Sequence, residues 1–282
     1  ADGAVTRAEL DAVAADERWR AVAADTAVLA SVTDWTAGGG AASDDDKARV
    51  EREKGAFWLN VYNTLAMHAN VLVRPQTLRE RQCMQLYCQY AIAGEKYSLA
   101  EILLWVLRPH LPESRPYERL LREQVDWRKK PDKESVPLAL NTAEALVTFA
   151  LNSGVPDGPT VVAYHPDKIT QQLKRSARAY FRHRVRIDAA THTCYMPRVL
   201  QWVRDDFGSN RAEFIAEIKC LIDADLEKAF VACGDNPAGL QHTYADQDFG
   251  YTWYDVNGKK AAAGGGGVRH GPLKAAARFC AE

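Results

Sequence analysis

Residues 57–70, FWLNVYNTLAMHAN, carry Asn60, Asn63, Thr64 and His68 inside a run that otherwise reads as a core helix. Amides donate and accept together and an imidazole titrates near neutral pH, so this set can bind a polar ligand, pin a backbone or move a proton. At helical spacing Asn60, Thr64 and His68 fall at i, i+4 and i+8 on one stripe, with Phe57, Val61, Leu65 and Leu72 on the next. That spacing predicts a polar line beside a core line. Asn60 and Asn63 are candidate binding residues there, and His68 is a candidate acid or base. The structural use of the same groups is to satisfy buried backbone in a hydrogen-bonded network.

The elements that must position this stretch come from a chain of 282 residues with 47% apolar composition, enough to bury a substantial core. The 36 Lys and Arg against 37 Asp and Glu give no reason to expect nucleic acid as a partner. No apolar run reaches the roughly 18 residues of a membrane span. Cys83, Cys88, Cys194, Cys220, Cys233 and Cys280 stand apart, without a C-x-x-C pair, which suits free thiols in a reducing, cytoplasmic setting. No metal site and no cofactor are expected: His68 has no i+4 ligand partner, the other histidines are scattered, and no Gly-rich turn is suited to phosphate.

The opening ADGAVTRAEL has two readings. It matches the back half of a calcium loop, with Gly3 at the sharp turn and Glu9 at the bidentate position, and it also matches a Thr6–Glu9 capping box. Helical patterning runs from about Arg7 to Trp35, and a second helix opens at Asp44–Asp46. The segment 88–111 predicts two short strands around Gly94, then a helix capped by Ser98 with Glu101 three residues on. Residues 141–159 fit a helix or a strand, TVVAY reads as a strand, and VRID with CYMP as a hairpin. RVLQWVRDDF and AEFIAEIKCLI each read as a helix. In PDKITQQLKRSARAYF, Ile169, Leu173, Ala177 and Tyr180 face inward, and Lys174, Arg178 and Arg182 form an outward ridge that is a candidate contact for an anionic partner. The expected fold is a single α+β domain, mostly helical, with a small, largely antiparallel sheet from segments near Gln89, Val161, Val185, Tyr195 and Tyr251. Residues 1–10 are its upstream fragment or cap, 11–258 the domain, and 259–282 a low-complexity flexible tail.

The ordered blocks ERWRAVAADTAVL, FWLNVYNTLAMH, YAIAGEKYSLAEILLWVLR, FALNSG, DKITQQLKRSARAYF, LQWVRDDFG and YTWYDVN, over 17–257, resemble the domain of unknown function 547 family. Members are found alone and joined to other modules, which suits a fragment of a longer chain. The resemblance also exposes departures. After Y-S-L the family reads D-I-E-H, and its His falls on Leu104. In D-P-R-I-H-F-A-L-N-C-G the His falls on Thr148 and the Cys on Ser153, beside Asn152. A second Cys, before a Pro, falls on Gly158, and the Asp of Y-D-W on Thr252.

For an ordinary member the resemblance implies Cys–His chemistry, remotely like papain-like or transglutaminase-like enzymes, because an imidazole stabilises the attacking thiolate. Here the expectation is a catalytically degenerate domain acting as an interaction or regulatory module in a longer protein, with an unknown protein partner or flanking domains. One alternative is a hydrolase or acyltransferase using Ser153 as nucleophile, with His68 or His165 supplying the base. Another is a small-ligand module in which Asn60, Asn63 and Asn152 bind. A serine needs a base within hydrogen-bond reach, so the Ser153–His68 and Ser153–His165 separations discriminate among these readings.

Overall fold

A computed structural model describes residues 7–31, 43–75, 77–109, 139–154, 158–188, 193–197, 199–200, 203–208, 211–222, 224–232 and 241–244. The chain enters through two helices, α1 (Arg7–Ala15) and α2 (Glu17–Asp25), where the pattern predicts one running to Trp35. Asp16 divides them. Its carboxylate accepts the Arg18 backbone N–H at 2.8 Å and caps α2. Hydrogen bonds from the Arg18 side chain and backbone hold the Asp16 carboxyl down at about 2.

The central element is α3 (Asp44–Val73), a 30-residue helix. Ser43 caps it by accepting the Asp46 N–H at 3.2 Å, and the three aspartates of its first turn face the positive end of the helix dipole. Its middle is core: Trp58, Leu59, Tyr62, Leu65 and Ala66 are at most 3% exposed. Along the predicted core line Val61 and Leu65 are buried and Phe57 is half-buried, but Leu72, one residue before the helix ends, is 43% exposed.

After α4 (Leu78–Tyr87), opened by a Thr77–Glu80 capping box, come the strands β1 (Gln89–Ile92) and β2 (Glu95–Ser98), an antiparallel hairpin. Its two-residue turn, Ala93–Gly94, has positive φ at both positions, the geometry that matches the twist of paired strands. Ser98 then starts α5 (Leu99–Glu101) with a capping box closed by Glu101. The helix widens into a π turn over Ile102–Leu107 that ends at Arg108. The ambiguous 141–159 stretch resolves as a 3₁₀ turn, Ala145–Phe149. Glu144 caps it, while Asn141 is held by Glu51 of α3 at 2.6 and 2.8 Å.

Helix α6 (Ile169–Arg184) buries Ile169, Leu173, Ala177 and Phe181, one residue beyond the expected Tyr180, because the i, i+4 stripe continues to 181. It joins two apolar clusters. Ile169 and Leu173 pack with the α3–α5 cluster, and Ala177 and Phe181 with Phe149, Met196 and Phe207. At Gly55 a Cβ would stand 2.9 Å from Ile169 Cδ1, so the close approach of α3 to α6 uses the bare glycine.

Strands β3 (Arg186–Asp188) and β4 (Thr193–Met196) form the expected antiparallel hairpin, and β5 (Gln241–Tyr244) adds to β4 in parallel. Helices α7 (Arg211–Leu221) and α8 (Ala224–Ala232) lie in the chain between β4 and β5. The expected helix around 198–207 ends in a 3₁₀ turn, Arg204–Asp206. Mostly helical with small sheets, this is an α+β fold. The Val161 segment is not a strand: 159–165 runs without turn or bend, but it pairs with no other strand among the described residues. The calcium-loop or cap reading of residues 1–6, the Tyr251 strand, Thr252 and the 259–282 tail lie outside the described residues.

Between the two clusters sits an ion pair. Arg108 at the end of the π turn donates to both oxygens of Asp206 at 2.8 and 3.1 Å, and its Nη1 donates to Thr148 Oγ1 at 2.9 Å. The Arg108 and Asp206 side chains are 1% and 0% exposed. A buried pair of this kind is costly to break singly, because the surviving charge has no water to turn to. Arg108→Leu or Asp206→Leu should each lower unfolding free energy by about 3–5 kcal/mol, while the double substitution should recover much of that loss. Urea denaturation checks it; additive losses in the double variant would reject the coupling.

Candidate functional site

The amides of α3 are aimed at two coil segments. Asn63, 2% exposed, donates to the Ala150 carbonyl at 2.9 Å and accepts the Asn152 N–H at 2.9 Å. Asn60, half-buried, donates to the Tyr164 carbonyl at 2.9 Å and accepts the N–H of the same residue at 2.8 Å. Each side-chain amide thus does for a coil what a neighbouring strand does in a sheet. Asn70 continues the row by donating to the Ser153 carbonyl at 3.1 Å, a carbonyl that also accepts from Arg81 Nη1 at 2.8 Å. Arg81 itself is fully buried on α4. Asn152 closes its own loop: its Nδ2 donates to the Pro159 carbonyl at 2.6 Å and its Oδ1 accepts the Gly154 N–H at 2.7 Å.

Glycine is required at 154. Its φ is +82°, and a Cβ would collide with the Asn70 amide. Ser153 is half-buried in this turn, and among the described residues its hydroxyl makes no hydrogen bond.

His68 belongs to a different surface. Its Nδ1 lies 2.9 Å from the Tyr90 hydroxyl, and its ring stands edge-on to Trp19 with centroids 5.6 Å apart. A helix turns roughly 100° per residue, so His68 and Asn70 point to opposite sides of α3. The stripe read from the sequence therefore divides: Asn60, Asn63 and Asn70 face the coil at 150–154 and 159–164, whereas His68 faces β1 and α2. Neither His68 nor His165 is hydrogen-bonded to Ser153. The His165 side chain is exposed, and its backbone N–H donates to Gln172 Oε1 at 2.8 Å.

At the positions where the family resemblance places imidazoles, Leu104 and Thr148 are 1% and 5% exposed. Leu104 lies one turn before Arg108, whose guanidinium occupies the Thr148 hydroxyl. Asn70, Arg81 and the Arg108–Asp206 pair were missed in the sequence. Asn70 did carry a signal, being i+7 from Asn63 on one helix face, while nothing in the α4 sequence marks Arg81. Among the described residues no group of His, Cys, Asp or Glu could hold a metal ion, and no helix is long and apolar enough to cross a membrane. Cys83, Cys88 and Cys220 are free thiols, and burial pushes the Cys83 thiol up, away from the reactive thiolate.

Fold and site together define a mostly helical α+β domain whose central helix carries a row of amides bonded to coil backbone. Residues 47–181 match the family model described as Protein of unknown function, DUF547, and this part of the chain is a domain of that family. No curated protein and no solved structure matches the chain.

Two outcomes follow from these bonds. Asn63→Ala removes partners from a buried C=O and a buried-side N–H, and should cost about 1–3 kcal/mol by chemical denaturation; an unchanged midpoint would mean that water replaces the amide. Burial holds the His68 imidazole below its usual value of 6.5, so the unfolded chain takes up this proton at a pH where the folded one stays neutral. Its contribution to stability is complete above pH 6.5 and is lost as pH falls through the folded value. His68→Gln should accordingly melt with a shallower decline than wild type between about pH 7 and about pH 5, and parallel curves would reject the assignment.

Proposed function

We propose that this chain is a catalytically degenerate domain of its family, working as an interaction or regulatory module within a longer protein. The observation that carries the reading is the bond from Arg108 to Thr148 inside the buried Arg108–Asp206 pair. Where the resemblance puts a His, this chain has a hydroxyl occupied by a guanidinium, a group of N–H donors with no acceptor to take a proton from a nucleophile. Leu104 removes the other expected imidazole and fills core instead. Asn60, Asn63 and Asn152 serve as pins in this reading, since each is bonded to backbone, and His68 serves packing beside Tyr90 and Trp19. Burial raises the Tyr90 phenol well above its usual value, so the Tyr90 hydroxyl keeps its proton as a partner for His68.

Exposure of the folded protein to a fluorophosphonate and to a thiol-directed alkylator, with adducts mapped by mass spectrometry against a heat-denatured control, tests this directly. Ser153 should stay unlabelled in the folded state. Rapid labelling that depends on folding would overturn the degenerate reading in favour of a Ser153 hydrolase or acyltransferase.

A further inference from the structure

Residues 7–31 lie on the domain without entering its core. Among the described side chains from 8 to 31 none is buried, although the segment touches α3 and the β1–β2 hairpin at several points. Asp11 of α1 pairs with Arg74 at the end of α3. The Trp19 ring of α2 stands 5.6 Å from the His68 imidazole, and the Leu29 carbonyl accepts the Ala93 N–H of the hairpin turn at 3.2 Å. Leu29 is also half-buried against the α3–α5 cluster. The ion pair is within reach of water, its Arg74 and Asp11 side chains 24% and 60% exposed, and such pairs hold weakly.

Helices of this length do not sustain themselves. α1 and α2 have nine residues each, below the roughly 12–15 at which an isolated helix becomes marginal in water, and Asp16 separates them. The arm is therefore helical while docked and unfolds when it lets go, which makes it a two-state element.

What the arm covers is His68. The imidazole is half-buried between Trp19 and Tyr90, whose hydroxyl lies 2.9 Å from Nδ1. Burial disfavours the charged ring, so the state in which the ring is wetter binds a proton more tightly, and acid favours the open arm. The charges of the packed elements are engaged elsewhere. Asp16 holds Arg18 at 2.7 Å, Arg20 donates to the Ala15 carbonyl at 3.1 Å, and Asp11 holds Arg74. Glu9, Glu17 and Asp25 are exposed, and the 3₁₀ turn Thr26–Ser31 carries no charge. From β1 the titratable group is Tyr90, with Cys88 just before the strand.

We propose that residues 7–31 are a displaceable strap, docked over the His68–Tyr90 face at neutral pH and released as a unit when His68 takes up a proton. The strap stands apart from the module reading, since it uses neither Thr148 nor Ser153.

Hydrogen exchange of the full chain, read by mass spectrometry and corrected for intrinsic rates, tests it. At about pH 7.5 the amides of α1 and α2 should exchange at least about a hundredfold faster than those of residues 58–66 of α3, through an opening that leaves the core closed. From about pH 7.5 to about pH 5.5 the protection of 7–31 should fall by about three- to tenfold, tenfold being the limit for an uncovered imidazole titrating at 6.5. H68Q should abolish that fall, with H68N in its place should H68Q not fold. D11N/W19A should strip protection from 7–31, leave that of 58–66 unchanged and speed carbethoxylation of His68 by diethyl pyrocarbonate. Equal protection of 7–31 and 58–66 overturns the proposal, as does collapse of the whole fold in D11N/W19A, because a strap is dispensable. So does a fall with pH that persists without His68, or its absence from the wild type.

Discussion

Coil that crosses a helix surface without a sheet must find hydrogen-bond partners for its backbone, and in this protein the helix supplies them. The Asn60, Asn63 and Asn70 amides bond the backbone of residues 150, 152, 153 and 164. Orphaned buried backbone groups cost enough that such a segment would otherwise detach or need water. Everything positioned by the coil at 150–154 and 159–165 depends on this row: the Ala145–Phe149 turn with Thr148, the Ser153–Gly154 turn and the start of α6.

The Arg108–Asp206 pair does related work at longer range. It links the end of the π turn to the Arg204–Asp206 turn and takes Thr148 as a third partner, so both apolar clusters meet around one buried polar group. A charge pair in such a place adds little net stability over well-packed apolar residues, but it punishes any arrangement that separates its members.

Helices α3, α5 and α6 were legible because their signals are local: the acidic turn Asp44–Asp46 opens α3, the Ser98–Glu101 box opens α5, and the α6 stripe continues at i, i+4 spacing to Phe181. Helix α4, capped by Thr77, was not read. The 3₁₀ turn at Ala145–Phe149 was not legible, since a segment of five residues has no period long enough to separate helix from strand. The break at Asp16 was missed because an acidic residue suits a helix surface as well as a cap. TVVAY has the composition of a strand and the straightness of one, yet strand pairing is a property of two segments, and periodicity reports on only one. In the site, types and row were readable but not their directions: Asn60 and His68 stood eight residues apart and seemed to share a face. The small angular drift of each i+4 step lets them serve different neighbours.

The substitutions at 104 and 148 bear on one another through packing. A His at either position would bring a polar ring into a place where Leu104 is 1% exposed and where Thr148 already completes the Arg108 cluster. An imidazole buried there beside a guanidinium would be driven towards its neutral form by both desolvation and like charge. Restoring the imidazoles would therefore also require remaking the ion pair, and Asp206 would then lie buried without the cation that now neutralises it. Among the described residues the Ser153 hydroxyl makes no hydrogen bond, while its carbonyl is held by Asn70 and Arg81, and that bond needs the backbone of residue 153 but not its side chain.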